Sequence, residues 1–565
     1  MKKIELLAPA GSLGTLKAAV SSGADSVYLG MNKFNAREYA TNFNEDYFKE
    51  AVKICKSNNV KLYLTMNTLI KNNELKEFFE QMKYAYEEGI DSVIIQDPSF
   101  IEVIKESFPE LRIHLSTQAG IMNSVHANIF ENINRINLAR ELTKENIKLI
   151  RNNCKKELEI FIHGALCACV SGSCLFSSLL GGRSGNRGKC AQPCRKLYNN
   201  FYLFSTKDLC LIDKLPEIID LGIDSLKIEG RMRTPYYVAT VTSIYRKAID
   251  SFYEGKFNVT DKIKAELKNA FIREFTQGKF SNEFIFNPNQ VLNNTNIQEK
   301  MYEVKIKDIK LPKRKSNLKE LKFIEKKSSG KQLIVRVYNK KDALIAEKYA
   351  DIVVLDLFNK DFENIKINKP LYALTPRLMF DSDLEKITKR IKDLSPNGLV
   401  VGNLGILNMN FNLPIILDYN CNCFNDLQIN YYKKLGAKCI ISPELSSREI
   451  EDFKNKDFIV FVHGKIRLMT LAHDLKEQKV KDEKGFNFDI KKIFNGIEVL
   501  NEKELGLFSQ ISFMLKSGVN QLYIDTEENL EEILSIYRNI LDNKPFKGAK
   551  LKKDYVLGWV KLGTL

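Results

Sequence analysis

Five of the 11 cysteines in this chain lie between positions 167 and 194. Four of them, Cys167, Cys174, Cys190 and Cys194, are separated by six, fifteen and three residues. Thiolates grouped this way suit an iron–sulfur cluster or a zinc ion, both of which require deprotonated sulfur. The spacing lacks the paired C-x2-C knuckles usual for structural zinc. Unreactive thiols are the third reading. Gly172, Gly181, Gly182, Gly185 and Gly188 let the loop wrap closely and present backbone N–H groups. Arg183, Arg187, Lys189 and Arg195 would offset the negative charge of bound thiolates and leave an anion-attracting rim. Cys169 and Cys210 are spare thiols, either of which could replace one of the four. Cys55, Cys154, Cys421, Cys423 and Cys439 are scattered and read as small buried residues. Hydrolytic chemistry has little support: among five histidines there is no His-Glu-x-x-His motif and no recognisable Ser/His/Asp context. His163 is either a base beside a thiolate or a strand-end histidine bonded locally.

These residues need a scaffold, and the first 245 residues repeat one: a short apolar run followed by an amphipathic helical stretch. Strands are predicted at Ile4–Leu7, Ser26–Leu29, Lys61–Thr65, Ser92–Gln96, Arg112–Ser116, Ile133–Asn137, Glu159–Ile162 and Ser225–Glu229. Eight such units predict an α/β fold, a TIM-like (β/α)8 barrel. Functional residues of such a barrel gather at the carboxyl ends of the strands. Gln118, Glu229 and Arg231 fall there and are the candidate catalytic residues. Asp25 and Asp97 are weaker candidates, since Asp25, like Asp224, also suits a turn cap before a strand.

The second half echoes the first. Phe461-Val462-His463-Gly464 repeats Phe161-Ile162-His163-Gly164, and Pro443-Glu444-Leu445 follows Arg140-Glu141-Leu142. With two further echoes at offsets of 296 to 326 residues, this predicts a duplicated, degenerate second barrel. The expected domains are a barrel at 1–260 with its cysteine loop at 163–195, a small β-rich segment and basic linker at 261–330, and a second repeat at 331–565. No cysteine follows Cys439, so the second repeat cannot build a thiolate cluster and is expected to be metal-free.

The opening residues carry no signal-peptide pattern, and no uncharged apolar run is long enough to span a membrane. A cytoplasmic location is expected, where cysteines serve metals or redox chemistry rather than structural disulfides. The net charge of +16 permits a polyanionic partner such as RNA.

The stretch Glu159 to Cys174 resembles the signature of peptidase family U32, the collagenase-like proteases. It departs at Phe176, where the family prefers an aliphatic residue. Leu7-Ala8-Pro9-Ala10-Gly11, Leu115-Ser116-Thr117-Gln118, Gly188 to Arg195 and Lys227-Ile228-Glu229-Gly230-Arg231 also look like family blocks. The resemblance is strong over about residues 1–280 and weak beyond. It implies an oxygen-independent RNA hydroxylase forming 5-hydroxyuridine in transfer RNA or hydroxycytidine in ribosomal RNA. It also implies a [4Fe–4S] cluster on Cys167, Cys174, Cys190 and Cys194, with prephenate as oxygen donor. The alternatives it carries are a U32-type peptidase and a subunit of a heteromeric hydroxylase.

Overall fold

The computed structural model describes residues 3–289, 301–307, 312–544, 555–561 and 563–564. The chain divides into two compact units. The first comprises Met1–Leu69, Lys76–Gly172 and Gly185–Glu320, and the second Ile70–Leu75, Ser173–Ser184 and Leu321–Leu565.

In the first unit, strands β1 (Glu5–Pro9), β2 (Ser26–Leu29), β3 (Lys61–Met66), β4 (Ser92–Ile95) and β5 (Arg112–Leu115) pair in parallel succession. β6 (Arg135–Asn137) and β7 (Glu157–Ala165) continue the ring, and β9 (Ser225–Ile228) closes it by pairing with both β7 and β1. Between these last two, β8 (Asp208–Cys210) runs antiparallel to β7 and carries β10 (Phe275–Thr276) on its outer edge. All eight predicted strands are therefore present, and they form a closed parallel barrel. Leu7, Tyr28, Tyr63 and Ile94 form one buried layer of its interior.

The repeated Gly-x-Asp-Ser phrase has a structural role. Asp25, Asp91 and Asp224 each accept the first free N–H of a neighbouring strand, from Leu6 at 2.8 Å, Leu62 at 2.8 Å and Leu158 at 3.0 Å. A sheet edge would otherwise leave those donors buried without a partner. Asp25 also pairs with Arg246 at 3.0 Å, so it belongs to the amino ends of the strands, away from the mouth.

Beyond the barrel the chain forms a helix, Asp261–Ala270, capped by Thr260. The basic segment then crosses the amino-end face: Asn58 donates to Lys305 O, Arg314 to Ile90 O, and Asn317 N to Ser107 O. It thus lies over the C-terminal ends of three helices, where cationic side chains complement the exposed carbonyls. Positions 308–311 of this basic stretch, and positions 290–300 of the expected β-rich segment, lie outside the described residues.

The second unit has a ring of the same kind. β11 (Gln332–Arg336), β12 (Ile352–Asp356), β13 (Leu371–Leu374), β14 (Gly398–Val401), β15 (Ile415–Leu417) and β16 (Ala437–Cys439) run parallel. β17 (Val460–Gly464) is reached from β16 through a single bridge, Ile440 to Ile459, which makes this the looser barrel. After β17, an antiparallel sheet stands where the first barrel has its cysteine loop. It is formed by β18 (Arg467–Leu471), β19 (Lys479–Lys481), β20 (Asn487–Ile493) and β21 (Gly496–Asn501). β22 (Leu505–Gly506) pairs antiparallel with β17 as β8 does with β7, and β23 (Gln521–Asp525) closes the ring between β17 and β11. Both β7 and β17 slip register at the residue before their His-Gly. No helix among the described residues is long and apolar enough to cross a membrane.

Candidate active site

The mouth of the first barrel is built on Glu229, directly after β9. Its carboxylate accepts from Arg37 Nη2 at 2.9 Å and Nε at 3.2 Å, and from the Tyr28 hydroxyl at 3.2 Å. Burial works against its charged form, yet the guanidinium groups of Arg37, Arg140 and Arg231 together hold the carboxyl down at about 2. Glu229 is therefore an anion at any ordinary pH and serves as an anchor rather than a proton carrier.

Arg231 does not pair with Glu229. It reaches across the mouth to Thr65 Oγ1 at 2.8 Å and Asn35 Oδ1 at 2.7 Å, and burial lowers its pKa to about 10. Gln118 accepts from Asn67 Nδ2 at 2.8 Å, and Asn67 Oδ1 accepts the backbone N–H of Ala36 at 3.2 Å. The three candidate catalytic residues thus join one polar network through Asn35, Asn67 and Arg37. Asp97 caps its own turn by accepting from Ser99 N and Oγ.

The cysteine loop is laid against the same network. Gly172, at φ +85°, packs so closely on Gln118 O that an added Cβ would stand 2.0 Å away. Gly188, also at φ +85°, is similarly pressed on Asn35 O at 2.2 Å. No side chain fits at either position. Arg187 donates to Leu69 O at 2.9 Å, and Lys189 pairs with Glu38 at 3.6 Å. Cys190 accepts the backbone N–H of Gln192 at 3.3 Å and lies near the Arg37 guanidinium.

Cys167 and Cys190 are exposed and Cys174 and Cys194 half-buried, whereas Cys169 is buried. Cys174 belongs to the stretch Ser173–Ser184 of the second unit, and the other three belong to the first. Among the described residues, no three Cys, His, Asp or Glu side chains form a ready metal cage. By its chemistry the donor set suits an iron–sulfur cluster: cysteine sulfurs, two of them exposed, on a glycine-rich loop that also carries Arg187 and Lys189.

The spare thiol Cys210 lies opposite His163 across β8 and β7, and burial pushes it up to about 11. His163 is buried among Tyr237, Tyr245 and Phe275, and burial lowers its pKa to about 3. A neutral imidazole beside a protonated thiol is not an activated nucleophile pair. His463 repeats the packing in the second barrel, with Tyr537 hydroxyl 3.3 Å from Nδ1.

Strand registers align the two mouths. Asp525 takes the place of Glu229, and counting from His463-Gly464 puts Arg467 at the position of Cys167. Arg467 bonds Asp525 at 2.6 Å and Glu498 of β21 at 3.0 Å, while Arg377 pairs with Asp418 at 2.6 Å. Arg467, Asp525, Glu498 and Asp418 are buried and Arg377 is half-buried, so the second mouth is filled by its own neutralised ion pairs. Sequence reasoning missed Arg37, Asn35 and Arg140, which lie in irregular stretches with no periodic signal.

Gly164, at φ +99°, faces Glu229 O, and a Cβ there would stand 2.5 Å from it. Gly164→Ala should cost about 1–3 kcal/mol of stability from backbone strain, measured by denaturant unfolding. Unchanged unfolding would show that the backbone at Glu229 can yield.

The family model for "Peptidase family U32" matches residues 11–291 and 363–473. An uncharacterized protease of Methanocaldococcus jannaschii is 40% identical over 300 residues, covering 49% of this chain and 73% of the relative. A tRNA hydroxylation protein of Bacillus subtilis is 38% identical over 270 residues, 44% of this chain and 64% of that protein. A 23S rRNA 5-hydroxycytidine synthase of Escherichia coli is 33% identical over 283 residues, 48% of this chain and 43% of that protein. The solved structure of a U32 peptidase is 17% identical with a TM-score of 0.30, covering 40% of this chain and 93% of its own. With the model matching in both halves of the sequence, this chain belongs to peptidase family U32.

Proposed function

We propose that this protein is an oxygen-independent RNA hydroxylase acting in the cytoplasm on a pyrimidine of transfer or ribosomal RNA. In this reading Cys167, Cys174, Cys190 and Cys194 hold a [4Fe–4S] cluster, and prephenate is the source of the hydroxyl oxygen. The observation that carries it is the cysteine loop pressed onto a cationic barrel mouth, with Cys190 beside the Arg37–Glu229 pair. Relatives named for tRNA hydroxylation and for hydroxycytidine synthesis support the substrate class.

When bound, the cluster supplies one-electron transfer. The chain's own residues do the rest. Glu229 fixes Arg37, whose partly exposed side chain is the cation offered to a carboxylate or phosphate. Arg231 is locked between Thr65 and Asn35 and keeps the mouth cationic. Gln118 and Asn67 offer amide groups of the kind that read the edge of an unstacked base.

A related collagenase of Porphyromonas gingivalis, 33% identical over 304 residues and covering 49% of this chain and 73% of its own, keeps peptide hydrolysis as the second reading. The state of His163 and Cys210 counts against it.

Nucleoside mass spectrometry of RNA from a strain lacking the protein should show one hydroxylated pyrimidine missing. The wild-type gene should restore it. An unchanged modification profile, together with metal-independent cleavage of denatured collagen, would replace this reading with the peptidase.

A further inference from the structure

Arg140 stands at the carboxyl end of β6 with its guanidinium 4.1 Å from the ring centre of Phe161 on β7. Its Nη1 donates to Ala165 O at 3.0 Å, two residues before Cys167, where the cysteine loop leaves the barrel. Its Nε is buried without a hydrogen-bond partner, and no carboxylate among the described residues lies within ion-pair distance of it. Its charge acts on the carboxyl groups of Glu229 and Glu141 without pairing with either, and Glu229 is bonded to Arg37 and Tyr28 instead. Arg140 is half-buried, and an Nε shut off from water without an acceptor is an unsatisfied donor that costs stability unless the site uses the group.

The duplication within the chain indicates what that use is. Strand pairing matches Leu138, which donates to Glu159 O, with Ile441, which donates to Ile459 O, so Arg140 corresponds to Pro443. The following Glu-Leu is kept in both halves, as Glu141-Leu142 and Glu444-Leu445, so the change to proline is local. In that same barrel the Cys167 position holds Arg467. The cation is therefore absent where the thiolate is absent, while the supporting fold remains.

Building on the proposed iron–sulfur reading, we infer that Arg140 is a positioning residue that anchors the base of the cysteine loop and offsets the negative charge of the group held there. Its bond to Ala165 O fixes the exit of the loop, and Phe161 holds the guanidinium plane. The positive charge favours the reduced, more negative state of the bound group.

The test uses full-length protein purified and reconstituted with iron and sulfide without oxygen. Arg140→Met should retain iron about tenfold less well against a chelator, the usual scale for lost outer-shell support. The reduction midpoint of what remains, followed by electron paramagnetic resonance, should move to more negative potential. Arg140→Lys keeps the charge and should keep the wild-type midpoint, even if its iron retention falls. An Arg140→Met protein with wild-type iron retention and midpoint overturns the inference, as does a lysine variant shifted as far as the methionine one. Wild-type protein that takes up no iron overturns the hydroxylase reading beneath it as well. Brown wild-type protein with an indifferent Arg140 overturns only the role given to Arg140.

Discussion

Cys190→Ala protein, purified without oxygen, is expected to be colourless, while wild type is brown with about four irons per chain. The same loss is expected for Cys167→Ala, Cys174→Ala and Cys194→Ala. Cys190 is the most telling position because its surroundings are the best defined. It is exposed, accepts an N–H from Gln192, and lies near the Arg37 guanidinium. Cys55 is the proper control. It is wholly buried, and its thiol is pushed up to about 12 by burial, so it remains a protonated apolar filler. Cys55→Ala should keep its colour and lose only some packing stability. In cells, Cys190→Ala should fail to restore the hydroxylated pyrimidine, whereas Cys55→Ala should restore it. Stoichiometric zinc without iron in the anaerobic wild type would sink the cluster assignment.

The second large effect is on stability, at the opposite end of the barrel. Glu5 Oε1 pairs with Arg135 Nη1 at 2.5 Å and accepts from Ser26 at 2.9 Å, while Oε2 accepts from Tyr63 at 2.9 Å. Arg135 also bonds Glu157 at 2.9 Å and Glu159 at 3.3 Å, and Glu159 pairs with Lys227 at 2.9 Å. Glu5, Arg135, Glu159 and Lys227 are all buried inside the ring, where a missing partner leaves an uncompensated charge. Glu5→Ala should therefore cost about 3–5 kcal/mol, read from denaturant unfolding. Burial disfavours the Glu5 carboxylate, but its bond and attraction to Arg135, with Lys61 and Tyr63, bring it well below the ordinary carboxylate range. A depressed folded value means that the charge contributes stability above the unfolded carboxyl's pKa of about 4.3. That contribution is lost as pH falls toward the folded value. The gap between wild type and Glu5→Gln should accordingly be widest near neutrality and shrink progressively in acid. A gap independent of pH would mean that shape, not charge, is what Glu5 provides.

The sequence alone was sufficient for the eight strands of the first barrel, because each is a short apolar run bounded by glycine or polar turns. It also showed the ordered echo between halves and the four-cysteine spacing, since both are properties of linear order. The Gly-x-Asp-Ser phrase was visible too, but its purpose was not. Asp25, Asp91 and Asp224 accept N–H groups from strands that are neighbours only once the sheet closes.

The site itself was a tertiary decision. Gln118, Glu229 and Arg231 could be nominated because strand ends can be read from periodicity. Arg37, Asn35 and Arg140 could not, because irregular loops carry no period to betray which way a side chain turns. Ring closure brings Asn35 of the β2 loop to Arg231 after β9, although 196 positions separate them. The second barrel shows the same limit from the other side. The absence of any cysteine after Cys439 was plain in the sequence, but the filling of its mouth by Arg467, Glu498 and Asp525 depends on a hairpin sheet folding back over the ring. Periodicity specifies which residues form each element. Which charges finally meet is set by the closure of the strands, because the cost of leaving a buried charge unpaired is felt only when the barrel is complete.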